Sequence, residues 1–312
     1  MSACCFGSIS PLTLIALEHG AALPGVQAWR YTTTAVLFTV YAWWQTRRRA
    51  GNAVTPADVT AAPWHSPRVL LIAGGGQALV ATLALTALRW IPAATEAFLF
   101  YTYPAWVAIL TAVRGTERLD GIRVVALLLA LGGIAAMVGA PDTASLHPLG
   151  LLSVFSAAIV YALYIPVLGS LQRVRAPLDV ARAISVGGAV IFVAWALATG
   201  SLFAHFDAQA LAASVAQGIL SAGAFLGFLA GLSALGAVRT AITSTIEPFW
   251  TTLLGVVVLG QPLGSGTLVG GAAIMGAVLL LQRPVGRRPA VAEGRLHSSS
   301  SREGDHSGSP TS

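Results

Sequence analysis

Apolar residues in this chain run on continuously instead of alternating with polar ones. The apolar stretches lie at about 2–17, 26–46, 68–88, 93–113, 121–140, 149–171, 180–203, 211–234, 238–259 and 265–282. Most approach the roughly 20 residues that an α-helix needs to cross a bilayer core. Lipid-facing barrel strands would instead alternate, with a period of two. The pattern therefore predicts an all-α membrane protein of ten transmembrane helices. From Pro284 onward, Ser, Gly and Arg replace the apolar residues, which predicts a disordered tail over 284–312.

Composition agrees with lipid as the main solvent. The 312 residues are 55% hydrophobic and only 10% charged, where soluble domains carry roughly 25% charged residues. Mean hydropathy is +0.75. The formal charge of +6 comes entirely from arginine, with no lysine, and the arginines are scattered between apolar runs. Such scatter is a topology signal and excludes a nucleic-acid footprint. With the N-terminus inside, Arg47, Arg48, Arg49, Arg68, Arg114, Arg118, Arg123, Arg173, Arg175, Arg182, Arg239 and Arg283 fall on the inner side, with four more in the tail. Only Arg30 and Arg89 fall outside, which the positive-inside rule reads as both termini cytoplasmic. The outer loops hold Glu18, His19, Pro141, Asp142, His147, His205 and Asp207. Cys4 and Cys5 are adjacent and have neither disulfide nor metal-ligand spacing. No cleavable signal peptide is evident. The first span is short and contains Ser8, Ser10 and Pro11.

The chain also repeats itself. A shift of 144 places Ala97, Pro104, Trp106, Leu110, Leu119 and Gly132 on Ala241, Pro248, Trp250, Leu254, Leu263 and Gly276. A shift of 155 places Phe6, Pro11 and Leu12 on Tyr161, Pro166 and Val167, and implies a first span that begins a few residues before Met1. Five spans per half is an odd number, so the second half must sit upside down. The expected organisation is two inverted five-helix repeats, 1–140 and 149–283, followed by a cytoplasmic tail, 284–312. Inverted repeats are a recurrent transporter architecture with the substrate site near the midplane.

Phe6-Gly7-Ser8, Ala28-Trp29-Arg30, Tyr161-Ala162-Leu163-Tyr164, Glu247-Pro248 and the run Arg114 to Leu119 resemble EamA-type members of the drug/metabolite transporter superfamily. The resemblance covers about residues 1 to 283. It implies a bacterial inner-membrane location and export of amino acids, nucleobase-like metabolites or drugs. Departures are visible. The Gly-Glu common at the ends of the fourth and ninth helices is Gly115-Thr116-Glu117 in one half and Gly260-Gln261 in the other. Phe6 replaces a frequent tryptophan, and Leu14 stands near the place of a lysine, which leaves a lysine-dependent mechanism without its residue.

Glu247 is the sharpest chemical feature, a carboxyl midway along an apolar helix. Charge at such a place costs about 2.5–3.5 kcal/mol or more, so it must pair, face water or be protonated. Thr240, Thr243, Glu247 and Thr251 form one stripe, with Ser244 and Trp250 beside it, and Pro248 frees the Ser244 carbonyl. Either this helix lines a cavity and its carboxyl binds a proton or a cationic group, or Glu247 is a structural residue bonded to a neighbouring helix. In the fourth span Glu96, Phe100 and Tyr103 share a face and Pro104 frees the Phe100 carbonyl. Glu96 is expected as a solvated helix-start carboxylate, and Tyr103 as either substrate contact or packing. Ser153, Ser156 and Tyr164 share a face of span six beside Tyr161, Gln77 follows Gly74 to Gly76, and span eight carries Gln217 and Ser221. Each alone fits interhelical bonding, and together they imply a wet interior. The stripes Gly223, Gly227, Gly231 and Gly266, Gly270 are expected to pack helices, with a sliding interface during rocking or a homodimer contact as the alternatives. Arg30 is expected to snorkel at the outer surface.

All six histidines lie in loops or tail, and no hydrolase, zinc or phosphate-loop motif occurs. An enzyme or a direct user of ATP is therefore not expected, nor is any cofactor or metal, and no channel filter is visible. The reading is a secondary transporter that exports small solutes, by proton antiport, with Glu247, Tyr103, Tyr164, Gln77, Trp250 and Thr243 as candidate substrate or proton-binding residues. Its partners are the bilayer, a small-molecule substrate and protons. The alternatives are a nucleotide-sugar or sugar-phosphate exchanger, which should place basic residues deep in its cavity, and a structural or receptor protein.

Overall fold

Pro, Gly and small polar caps decide where each apolar run becomes a helix. The computed structural model describes residues 1–49, 63–87, 89–91, 93–117, 119–138, 147–204, 206–259 and 265–282. The expected tail, and Arg118, Pro141, Asp142, His205 and Gly260-Gln261, lie outside the described residues. The first elements are α1 (Ser2–Gly7), α2 (Ile9–Glu18), α3 (Leu23–Arg49), α4 (Pro67–Leu70), a π-helical turn (Leu71–Gly75) and α5 (Gly76–Ala87). They are followed by α6 (Ala93–Phe100), α7 (Tyr103–Val113), α8 (Gly121–Val138), α9 (Pro148–Gln172) and α10 (Pro177–Ala198). The last are α11 (Ala208–Leu235), α12 (Ala237–Ser244), α13 (Ile246–Leu259) and α14 (Ser265–Gln282). No strand occurs among the described residues.

Proline opens α4, α9 and α10, where its missing N–H costs nothing. The Asp207 side chain caps α11 by accepting from the Ala210 N–H at 2.7 Å. Gly236, at φ +81°, ends α11 and turns the chain at once into α12. The apolar runs expected at 93–113 and 238–259 are each broken in two near their proline, and that expected at 180–203 ends early because Thr199 and Gly200 turn the chain.

Five stretches are long and apolar enough to cross a membrane, Pro67–Ala87, Glu96–Val113, Pro148–Gln172, Pro177–Ala198 and Ala208–Leu235, counted among the described residues. Ser2–Glu18, Gly121–Met137 and Leu268–Leu281 are shorter apolar helices. α3 is long but carries Gln27, Arg30 and the run Thr32 to Thr34 along its body.

The helices gather into one compact unit, Met1–Gln282. α8 packs on α14, α3 lies against α10 and α11, α5 against α9, and α1 and α2 against α11. Small residues permit the closest of these approaches. A Cβ on Gly270 would stand 2.2 Å from the Gly133 carbonyl oxygen, and one on Gly266 2.4 Å from that of Ala136. On α11, Gly227 meets Ser2 and Gly223 meets Cys5. Both glycine stripes are therefore occupied within the chain. The triple glycine has a similar basis: Gly74 rests on Gly187 of α10, and Gly76 lies under the Tyr164 ring.

At the ends of α2 and α11, His19 Nδ1 and Asp207 Oδ2 are 2.7 Å apart. The Ala210 N–H, and after it His19, hold the Asp207 carboxyl below the usual carboxylate range.

Three outcomes are expected. Gly270→Ala should lower the thermal midpoint of the detergent-solubilised protein by an amount equivalent to about 1–3 kcal/mol. Gly132→Ala, at an open position on α8, should be neutral or slightly stabilising. Because its carboxyl is depressed in the fold, the Asp207 cap should contribute fully above about pH 4 and be lost as pH falls further. Wild type and Asp207→Ala should therefore differ in midpoint at pH 6, and the difference should shrink steadily as pH falls below about 4.

Candidate functional site

Pro104 and Pro248 each lack an N–H and clash with the turn before them, so neither helix can run through. α6 stops at Phe100 and α7 starts at Tyr103, while α12 stops at Ser244 and α13 starts at Ile246. The register of 144 residues that aligns the prolines also aligns Tyr101 with Thr245 and Tyr103 with Glu247, so the chain breaks at equivalent points. Each break leaves a helix start inside the bundle. Glu247 occupies the first turn of α13 and Glu96 that of α6, positions where the partial positive charge of the helix end favours a carboxylate.

Glu247 lines two cavities. The central one, of about 170 Å³, is also bounded by Arg30, Gln77, Tyr103, Tyr161 and Phe228. The second, of about 460 Å³, adds Glu96, Tyr101, Thr251, Thr252 and Ser10. The two share Ala84 and Phe100 as well as Glu247. The Tyr101 hydroxyl is the hydrogen-bonding neighbour of the Glu247 carboxyl. Glu96, expected as a solvated helix-start residue, is half-buried and faces the same cavity as Glu247.

Aromatic rings wall the central cavity. Tyr161 packs edge-on to Tyr103 at 4.7 Å and stacks with Phe100 at 5.6 Å and Phe228 at 6.4 Å. Phe6 contacts Phe225 edge-on at 5.5 Å. The Tyr103 hydroxyl is 3.5 Å from the Ala241 carbonyl of α12.

The other sequence candidates disperse. Gln77, two residues beyond the π-helical turn, lines the central cavity. Tyr164 lines neither cavity; it is buried, and its hydroxyl donates to the Ala73 carbonyl. Trp250 also lies outside both linings and donates from Nε1 to Ser8 Oγ at 3.0 Å, tying α13 to the α1–α2 joint. Thr243 sits before the helix break and lines neither cavity.

Arg30 departs from its expected place. It turns inward between α3 and α11, donates from Nε to Ser221 Oγ at 2.7 Å and from Nη1 to Gln27 Oε1 at 3.3 Å, and lines the central cavity. The sequence holds a signal for this. Gln27, Arg30, Tyr31 and Thr34 follow the spacing of one helix face, and Thr34 bonds the Gly218 carbonyl of α11 at 2.9 Å.

A third cavity, of about 530 Å³, lies at the Arg114 and Arg173 end and shares no lining residue with the other two. Glu117 forms part of its wall. Its carboxylate accepts from the Ala237 N–H at 2.6 Å, which caps α12 from the end of α7, and Arg123 Nη1 lies 3.4 Å away. A Cβ on Gly236 would come within 2.9 Å of that carboxylate, so glycine both makes the turn and admits the cap. Gln172 closes nearby on the Leu229 carbonyl at 2.8 Å.

The sequence profile of the EamA-like transporter family matches residues 1–139 and again 148–283. A solved crystal structure, described only as that of a "protein", superimposes with a TM-score of 0.71 at 21% identity. It covers 90% of this chain and 94% of its own, a likeness of fold alone. No curated protein matches the chain.

The Glu117 cap makes a testable point. Glu117→Ala should destabilise the protein by about 1 kcal/mol, read as a lower thermal midpoint. Glu117→Gln, whose amide oxygen still accepts from Ala237, should recover part of the loss; equal losses would show that charge alone matters.

Proposed function

Because the chain belongs to the EamA-like transporter family, we propose that it is a secondary transporter that exports small metabolites, amino acids or amphipathic compounds, moving protons the opposite way. Glu247 is the observation that carries this reading. A carboxyl at the start of a half-helix, bordering a central cavity on one side and a second cavity on the other, is placed to take up a proton or a cationic group from either. Broken helices whose ends point into a cavity are how secondary transporters present charge at the midplane. Tyr103 and Gln77 contribute lining, while Tyr164, Trp250 and Thr243 support the helices around it.

In this proposal the chain crosses a bacterial inner membrane ten times as two inverted five-helix halves, 1–140 and 149–283, with both termini and the tail in the cytoplasm. The arginines at the ends of α3, α7 and α9 and the start of α8 favour that orientation. The bilayer, protons and one small solute are its partners, with no nucleic acid, cofactor or metal. A homodimer would use a face other than the two glycine stripes, which are filled from within the chain. Arg30 lends the exchanger alternative a basic residue in the cavity, but Glu247 in the same cavity opposes a phosphorylated substrate. A structural or receptor role leaves the two linked cavities without use.

Proteoliposomes enclosing a pH-sensitive dye should show solute-driven proton movement when amino acids, nucleobases and cationic dyes are screened. Glu247→Gln should abolish that movement for whichever solute drives it. Transport that persists unchanged in the variant would reduce Glu247 to a structural residue.

A further inference from the structure

We infer that Arg30 anchors the acidic group of the transported solute, and that this solute is a zwitterion with an apolar body whose basic group meets Glu247. This rests on the transporter reading and narrows it.

Arg30 and Glu247 line the same central cavity from different helices, α3 and α13, yet no ion pair joins them among the described residues. A guanidinium stays charged and offers five N–H donors. Ser221 and Gln27 take one each, and both acceptors are buried, so the head is aimed from behind. The other three donors find no acceptor among the described residues. An arginine held this way within a membrane bundle calls for an anion. The cavity's carboxyl has the Tyr101 hydroxyl as its hydrogen-bonding neighbour and feels the Arg30 charge without forming an ion pair with it.

The cavity thus presents one fixed cation, one carboxyl and walls of Tyr103, Tyr161 and Phe228. A solute with a single charge leaves one of the two groups desolvated and unpaired. A phosphorylated solute faces the carboxyl. A zwitterion satisfies both ends at once and lays its apolar portion on the rings. The bidentate geometry of guanidinium with carboxylate makes the acidic end the more directional of the two contacts.

The test is binding to the purified full chain by L-phenylalanine, L-phenylalaninamide and 3-phenylpropionate, which differ only in which charge they carry. The matching leucine series (L-leucine, L-leucinamide and 4-methylpentanoate) runs beside it. The wild type should prefer a zwitterion over both single-charge analogues by roughly 10–100-fold, the size expected of a charged hydrogen bond. Arg30→Gln should erase the preference over the amide and keep the preference over the acid lacking an amine. Glu247→Gln should do the reverse, and Arg30→Lys should restore part of what Arg30→Gln loses.

A wild type that binds the amide or the acid as tightly as the amino acid overturns the inference. So does an Arg30→Gln protein with unchanged selectivity, or the absence of binding by every member of both series. Should Arg30→Gln fail to fold, the wild-type series decides alone. Binding is read here without transport, so a failed proton-flux assay with the charge selectivity intact rejects the antiport mechanism and leaves this assignment standing.

Discussion

Hydrocarbon offers no hydrogen bonds, so every polar group carried into the bundle must find its partner inside it. That requirement orders most of what is seen here. Long stretches of chain meet it by forming helices, whose backbone groups satisfy one another. The interruptions at Pro104 and Pro248 violate it locally, and it is around those interruptions that the cavities, the carboxyls and the aromatic rings collect. Many side chains obey the same rule, although the Tyr31 hydroxyl and Gln217 Nε2 are buried without a hydrogen-bond partner among the described residues. Ser221 receives Arg30, Gln217 receives Thr13 at 3.1 Å, and the Gly218 carbonyl receives Thr34, so α11 meets its neighbours along a polar seam.

Much of the fold was legible because the apolar runs are long and the prolines unambiguous. Helix existence followed from hydropathy, whereas the two breaks were not expected, the chain being read as unbroken over 93–113 and 238–259. The repeat register even placed Tyr103 opposite Glu247, and both border the central cavity. What escaped notice did so for identifiable reasons. Arg30 was judged by its distance from a helix end, whereas its direction is set by the face it shares with Gln27 and Thr34. Tyr161 and Tyr164 differ by less than one helical turn, and sequence spacing does not say which of them faces the void. Thr243 and Glu247 belong to one stripe only on an unbroken helix, and the chain is broken between them at Thr245.

The halves of the chain are joined by contacts of unlike character. α8 and α14 meet backbone to backbone through Gly133 and Gly270, with Met137 and Ile274 packed beside the contact. At the Arg114 end one link is a carboxylate reaching from one half to a helix start in the other. At the opposite end, His19 and Asp207 are exposed and accessible to solvent. A close glycine seam and two small polar clasps therefore hold the same bundle.

Viewed as a mechanical linkage, the Gly236 junction is a one-residue joint with a catch. The eight residues of α12 form a rod of about 12 Å between the Glu117 catch and the gap at Thr245. The two cavity systems share no wall, yet this one short helix runs from the fastening beside one to the helix that carries the carboxyl of the other.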